Sequence, residues 1–254
     1  MKKVLVSFAD KKYEGSQKNL TRSAMKNGID WFENYTPDSL KYSIHEREDI
    51  FYEKNKFILS QPRGAGYWLW KPYIILETLK SLNEGDVVLY SDAAVTVISD
   101  LSPLFELADK YSIVTFQIGG AHTNKVWTKR ECFLLMGADE PKYHNYIQTT
   151  ASYQLYKNDE TSRSFLKEYL HYCENPMILT DIKDPYTEQY SVFKDHRHDQ
   201  SVLSILSAKH NLKRWRDPSQ YGNEDMGVGS YYGRVTPESK YPQIFYHHRM
   251  KLFG

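Results

Sequence analysis

Apolar runs of strand length alternate with amphipathic stretches of helix length along most of this chain, the order expected of an α/β sheet. Lys3 to Phe8 reads as a first buried strand, with Ala9-Asp10 at its C-terminal end. Ser16 through Asn27 fits a helix capped by Ser16 and stopped by Gly28. Trp31 to Tyr35 is a second strand closed by Thr36-Pro37, and Glu46 to Leu59 has partial helical spacing. After a loop from Gln61, Pro72 suits the first turn of a helix reaching Leu82. Val87-Val88-Leu89-Tyr90 is then a nearly continuous β-branched and aromatic run, as in a strand buried on both faces of a mostly parallel sheet. Further on, helices are predicted over Leu101 to Lys110, Lys125 to Met136, Asp159 to Cys173 and His198 to His210. Strands are predicted over Ser112 to Ile118, Ile147 to Tyr156 and Gln243 to Tyr246. From Lys213 to Pro242 the pattern gives way to a Gly-, Tyr- and Asp-rich irregular region.

Composition narrows the classes. At 254 residues the chain is long enough for a substantial core, and it shows no repeat or low-complexity linker. With 33 basic and 32 acidic residues, net charge +1, nothing favours a nucleic-acid partner. No stretch approaches the roughly 20 apolar residues of a transmembrane segment, and the apolar run at the N-terminus is too short for a secretory signal. Cys132 and Cys173 suit a reducing cytoplasm, as plain packing residues. The 21 tyrosines and 5 tryptophans are suggestive of sugar or base sites, although aromatics also fill cores.

The chemistry gathers in a few places. Asp92 directly follows the central apolar run, flanked by Ser91, Ala93 and Ala94, which are too small to cover it. Open α/β sheets bind ligands at the C-terminal ends of their strands; the other reading of Asp92 is a turn cap. The segment Arg63-Gly64-Ala65-Gly66-Tyr67-Trp68-Leu69-Trp70-Lys71 joins two cations for anionic groups with aromatics for planar or sugar faces. Its alternative is a hydrophobic plug beneath the Pro72 helix. Asp199 shares a helical side with Leu203 and Leu206, which aims it inward as a site residue, unless it is an N-cap or a structural ion-pair member. His196-Arg197-His198-Asp199 has the spacing of some metal hydrolases, but the further ligands of such a site are not nearby. His247 would share a strand face with Phe245 and so point to the body of the fold, where an imidazole suits a divalent metal. One acidic anchor, one late histidine, scattered cations and many aromatics make a set for holding a nucleotide diphosphate through a divalent ion.

Four segments resemble those of bacterial and viral polysaccharide glycosyltransferases: Gly66 to Tyr73, Gly85 to Ala93, His198-Asp199-Gln200-Ser201 and Tyr246 to Arg249. The likeness spans residues 60 to 250 and is most specific in the first two segments. It implies a GT-A-like nucleotide-sugar-binding α/β sandwich with a mostly parallel central sheet and flanking helices. Over 1–254 it implies one transferase domain, with a nucleotide-binding half at 1–120 and an acceptor half at 121–254. The expected donor is a nucleotide sugar, UDP-sugar favoured, and the expected acceptor a glycan or lipid-linked glycan, as in capsule or lipopolysaccharide synthesis. The setting would be the cytoplasm, with peripheral attachment to the inner membrane face left open.

The family holds Mn2+ or Mg2+ through an Asp-x-Asp motif. Asp92 takes that place by resemblance, and His247 the place of a late metal-binding histidine. The departure is that Ser91-Asp92-Ala93-Ala94 offers one carboxylate rather than two. Donor contacts are expected from Phe8, Ala9, Asp10, Arg63, Trp68, Trp70, Lys71, Ser91, Asp92 and Lys251, and acceptor contacts from Ser152 and Tyr153. An inverting reaction would take Asp199 or Asp181 as base, and a retaining one would place Gln200 or Asp199 under the anomeric carbon. The rival readings are a catalytically silent glycan- or nucleotide-binding module, favoured by the missing carboxylate, and nucleotidyl transfer, which would need more acidic ligands.

Overall fold

The computed structural model describes residues 1–41, 50–120, 122–223 and 236–248. In chain order the first elements are β1 (Lys3–Phe8), α1 (Glu14–Lys26), β2 (Trp31–Tyr35), α2 (Ile50–Lys54) and α3 (Lys56–Leu59). There follow a single turn, α4 (Gly64–Tyr67), then α5 (Trp70–Lys80), β3 (Val87–Ser91), β4 (Val95–Val97), α6 (Ser102–Tyr111) and β5 (Ile113–Gln117). The next run is α7 (Asn124–Trp127), α8 (Arg130–Leu135), α9 (Pro141–His144), β6 (Thr149–Lys157), α10 (Glu160–Cys173) and α11 (Pro176–Leu179). The described chain closes with α12 (His198–Lys209), β7 (Trp215–Arg216), α13 (Gln220–Asn223) and β8 (Phe245–His247).

Six strands form the central sheet in the order β2-β1-β3-β6-β5-β7. The mostly parallel sheet expected from sequence is present: β6 alone runs against its neighbours β3 and β5, and the other pairings are parallel. The inner strands β1, β3, β5 and β6 are largely buried on both faces because helices cover both, whereas the edge strand β2 is mostly exposed. Val4, Val6, Val88 and Tyr90 face a layer containing Ile74 of α5, Phe165 and Tyr169 of α10, and Leu203 of α12. Leu5, Val87 and Leu89 face Leu20 of α1, Phe105 of α6 and Phe245 of β8. Period-two alternation divides each strand between the two layers. Cys132 and Cys173 are buried free thiols, as packing residues would be. No helix among the described residues is long and apolar enough to cross a membrane.

Several sequence expectations shift. The first helix begins two residues before Ser16, which is buried inside it, and Tyr13 takes the capping position without a side-chain bond. Of the helix expected from Glu46, positions 46–49 lie outside the described residues. The remainder is two short helices, because the Asn55 amide bonds back to the Phe51 carbonyl at 3.0 Å and to Glu174 at 3.0 Å. The helix expected over Lys125 to Met136 breaks at Thr128-Lys129, where Lys129 turns inward to donate to the Thr180 and Ile182 carbonyls at 2.6 and 2.5 Å. Within the region read as irregular, Trp215-Arg216 adds the edge strand β7. The strand expected over Gln243 to Tyr246 is β8, shifted to Phe245–His247, and its partner in a two-stranded ribbon, β4, was not foreseen.

Candidate active site

The C-terminal ends of β1 and β3 lie side by side, and the start of antiparallel β6 meets them there. Asp92 stands at this edge. Its N–H donates to the Ser152 carbonyl at 2.8 Å, and its Oδ1 accepts from the Tyr90 hydroxyl at 2.6 Å. The turn through Ala93 and Ala94 leads directly into β4, which pairs Val95 with His247. The ribbon therefore carries the late histidine to the first strand edges, and the His248 N–H donates to the Ala94 carbonyl at 3.1 Å.

A cleft of about 540 Å³ opens over these strand ends, within the usual size range of small-molecule sites. Phe8, Ala9, Asp10, Trp68, Trp70, Asp92 and His247 all line it. Trp70 is nearly buried yet stacks on Phe8 at 4.0 Å, so it belongs to core and cleft at once. Lys12 and Tyr13 also line the cleft and were not foreseen; they follow β1 by the same rule that singled out Asp10.

A second, inner pocket of about 220 Å³ adjoins it, with Lys71, Ser152, Asp199 and Gln200 among its walls. Asp92 and Trp68 line both spaces. Asp199 is the second residue of α12, whose capping position is held by Arg197, so the N-cap reading of Asp199 is overturned. The inward ion pair takes its place: Lys71 Nζ lies 2.6 Å from Asp199 Oδ2, 3.6 Å from Asp92 Oδ1 and 3.1 Å from the Ala151 carbonyl. Lys71 is 2% exposed, so the expected direct contact with a donor anion is replaced by neutralisation of two carboxylates. Burial disfavours its charge, but Asp199 and Asp92 outweigh that and hold the ammonium above its ordinary pKa. Burial is also the largest influence on Asp199, raising its carboxyl to about 6 against the pull of Lys71.

The loop before α5 takes an uncommon path. Gly64, Ala65, Gly66, Tyr67 and Trp68 have φ of 58°, 50°, 99°, 52° and 60°, five successive residues in the left-handed region. For non-glycine residues this costs on the order of 1–2 kcal/mol each, and the packing of Trp68 and Tyr67 beside His198 offsets it.

Other expected residues fall differently. Arg63 does not present a free guanidinium to a donor; it pairs with Asp181 at 3.0 Å and Asp195 at 3.1 Å. Asp181 also accepts from the Tyr67 hydroxyl at 3.0 Å and sits at the rim, outside the residues lining the inner pocket. Ser91 is sealed in the strand, its hydroxyl donating to the Asp92 carbonyl at 3.2 Å. Tyr153 is 1% exposed and bonds Asp217 at 2.5 Å, which removes it from the acceptor side; alternation along β6 turns it into the core, while Ser152 lines the pocket. Lys251 and Arg249 lie outside the described residues. His196 and His198 donate to the Ile178 and Leu179 carbonyls, both at 2.8 Å, and burial holds both imidazoles below their ordinary pKa, so neither serves the hydrolase-like spacing. Asp195 and Arg197, which join the inner pocket, had no sequence signal beyond their neighbourhood.

Among the described residues no group of three or more His, Cys, Asp or Glu side chains is placed to hold a metal. The cleft is bordered by two carboxylates, Asp10 and Asp92, and one imidazole, His247; of these, Asp92 and His247 are the expected metal ligands.

No protein-family model matches the sequence, and no curated protein matches it either. Among solved structures, apo mouse xyloside xylosyltransferase 1 aligns over 100% of both chains with TM-score 0.50 and 9% identity. A glycosyltransferase involved in glycosylation of the major capsid of PBCV-1 aligns over 98% of this chain and 96% of its own, at 0.47 and 10%. The galactosyltransferase LgtC, in complex with donor and acceptor sugar analogues, aligns over 97% and 87%, at 0.46 and 13%. At such identities the likeness is one of fold: the chain is an α/β protein of GT-A-like architecture.

Proposed function

We propose that this chain transfers a sugar from a nucleoside diphosphate donor, a UDP-sugar by preference, to a hydroxyl of a glycan or lipid-linked glycan. The observation that carries the reading is the common wall. Asp92 and Trp68 border a large cleft at the strand ends and a small pocket at the head of α12. Two substrates in those spaces would meet there, as a transfer between two substrates requires. The fold supports it, since sugar-transferring enzymes share it.

In this reading Phe8, Ala9 and Asp10, with Trp68 and Trp70, hold the nucleoside side of the donor. The bond from the anomeric carbon to the diphosphate oxygen breaks, a bond from that carbon to the acceptor oxygen forms, and the acceptor proton is released. A divalent ion, Mn2+ or Mg2+, fits the donor set only with help from the diphosphate: Asp92 Oδ1 is engaged by Tyr90 and Lys71, so Asp92 Oδ2 and His247 would be its protein ligands, with the Asp10 carboxylate on the same cleft. Such an ion would neutralise charge on the departing diphosphate. Lys71 fixes Asp92 and Asp199 in place. For an inverting course, Asp199, with its carboxyl raised to about 6, accepts the acceptor proton; for a retaining course, Gln200 faces the anomeric carbon. Proton NMR of the anomeric configuration of the product distinguishes the two.

The second reading, a silent binding module, is favoured by the lone carboxylate of the Ser91-Asp92-Ala93-Ala94 turn, which is already paired with Lys71. A thermal-shift screen of nucleotide sugars with and without Mn2+, followed by donor hydrolysis, tests both. Stabilisation with release of sugar supports the transferase; stabilisation with no release supports the module; no stabilisation by any donor refutes both.

A further inference from the structure

Beyond the inner pocket, a third cavity of about 520 Å³ is lined by His122, Val126, Trp127 and the exposed segment Ser191 to Lys194. Its walls are joined by the main chain. The Lys194 N–H donates to the Val126 carbonyl at 2.8 Å, and the Arg197 N–H to the Trp127 carbonyl at 3.1 Å. The Arg197 guanidinium lies 3.9 Å from the Trp127 ring centroid, and Lys194 Nζ lies 5.8 Å from it. Lys183 Nζ is 5.4 Å from the ring of Phe193. No residue lining the cavity is acidic, and Asp195, the next residue in the chain, is engaged by Arg63 at 3.1 Å. Burial and the charges of Arg197 and Lys194 all push the His122 imidazole below its ordinary pKa, in keeping with a cationic enclosure.

Arg197 also lines the inner pocket. One side chain therefore borders both the pocket that holds Asp199 and the ring at the edge of the outer cavity. Arg197 lies over one face of the Trp127 indole, so a sugar ring carrying a negative group would pack on the indole surface left towards the cavity, with its anion met by Lys194 and Arg197.

We propose that this cavity is an outer acceptor subsite that binds an anionic unit, carrying a carboxylate or a phosphate, of an extended glycan whose reacting end lies in the inner pocket. The proposal rests on the transferase reading, and its test keeps the two apart. Binding of trigalacturonate, of its carboxyl-reduced neutral counterpart and of inorganic phosphate is measured by calorimetry and saturation-transfer NMR. The proteins are the full chain, Lys194→Glu and Trp127→Leu, with donor hydrolysis followed in parallel.

The expected result is binding of trigalacturonate about tenfold tighter than of the neutral trisaccharide. Lys194→Glu loses that preference, Trp127→Leu weakens binding of both saccharides, and donor hydrolysis is unchanged in each. Binding of phosphate without trigalacturonate, lost in Lys194→Glu, supports a phosphate-bearing unit. Equal binding of charged and neutral saccharides, a preference that survives Lys194→Glu, or no binding of any of the three probes overturns the subsite. Absence of donor hydrolysis in the parent protein overturns the transferase reading, and the binding data then still decide whether the anionic saccharide site exists.

Discussion

An ammonium sealed from water is unfavourable unless its charge is met, and Lys71 is met by two carboxylates and a carbonyl. Its position dictates this. It is the second residue of α5, in which every residue from Trp70 to Leu79 is buried, so the side chain cannot reach solvent and must end among acids. Removing one partner of a buried pair strands the other. Lys71→Met is therefore expected to cost about 3–5 kcal/mol at pH 8, read by urea unfolding. The pH dependence has a definite sign. The Asp199 carboxyl is raised to about 6 in the folded protein, so the fold holds this proton more tightly than the unfolded chain does. The stability contributed by that proton is full below the ordinary carboxylate range and lost as pH rises through about 6. In Lys71→Met the carboxyl rises further, so the deficit against the parent should shrink at pH 5. A deficit equal at pH 5 and pH 8 would show that Asp199 is not the group left stranded.

The turn Gly64–Tyr67 shows the same pressure at the scale of an element. A Cβ on Gly66 would stand 2.7 Å from the Leu59 Cα, at φ +99°, whereas one on Gly85 meets nothing within 4 Å at φ +87°. Both substitutions strain the backbone, but the first also clashes with main chain that cannot yield cheaply. Gly66→Ala is expected to lose about 1–3 kcal/mol more than Gly85→Ala, and to weaken donor binding through displacement of Trp68. Equal losses in the two variants would contradict this. The segment stood out in sequence for its glycines and tryptophans, but its left-handed path did not: Ala65, Tyr67 and Trp68 reach that region only because packing imposes it. Strands β1, β3, β5 and β6 were legible because each carries its own apolar run, and β2 and most of β8 from short aromatic stretches next to turn residues. The breaks at Asn55 and Lys129 were not, since each is set by a partner more than 50 residues away. Asp92, Asp199 and His247 were legible as site candidates through their positions at element ends. The losses of Tyr153 and Ser91 came from burial, which their polar hydroxyls do not reveal.

Over the whole molecule, the sheet edge, the head of α12 and the β4–β8 ribbon bring residues from positions 8, 92, 199 and 247 to two adjoining spaces. If His247 helps hold an ion with Asp92, His247→Ala should raise the Mn2+ concentration for half-maximal donor turnover by about tenfold or more while leaving the melting temperature without metal unchanged. An unaltered Mn2+ response would remove His247 from that role. The central claim is that the strand-end cleft cleaves a nucleotide sugar at the wall formed by Asp92. Its most direct test is release of free sugar and nucleoside diphosphate from a nucleotide-sugar panel, by the parent chain and by Asp92→Asn, which keeps the side-chain shape. The expected result is turnover of at least one donor by the parent and a fall of about 10²–10³-fold in the folded variant. No turnover of any donor, or parent-level turnover by Asp92→Asn, would contradict the account.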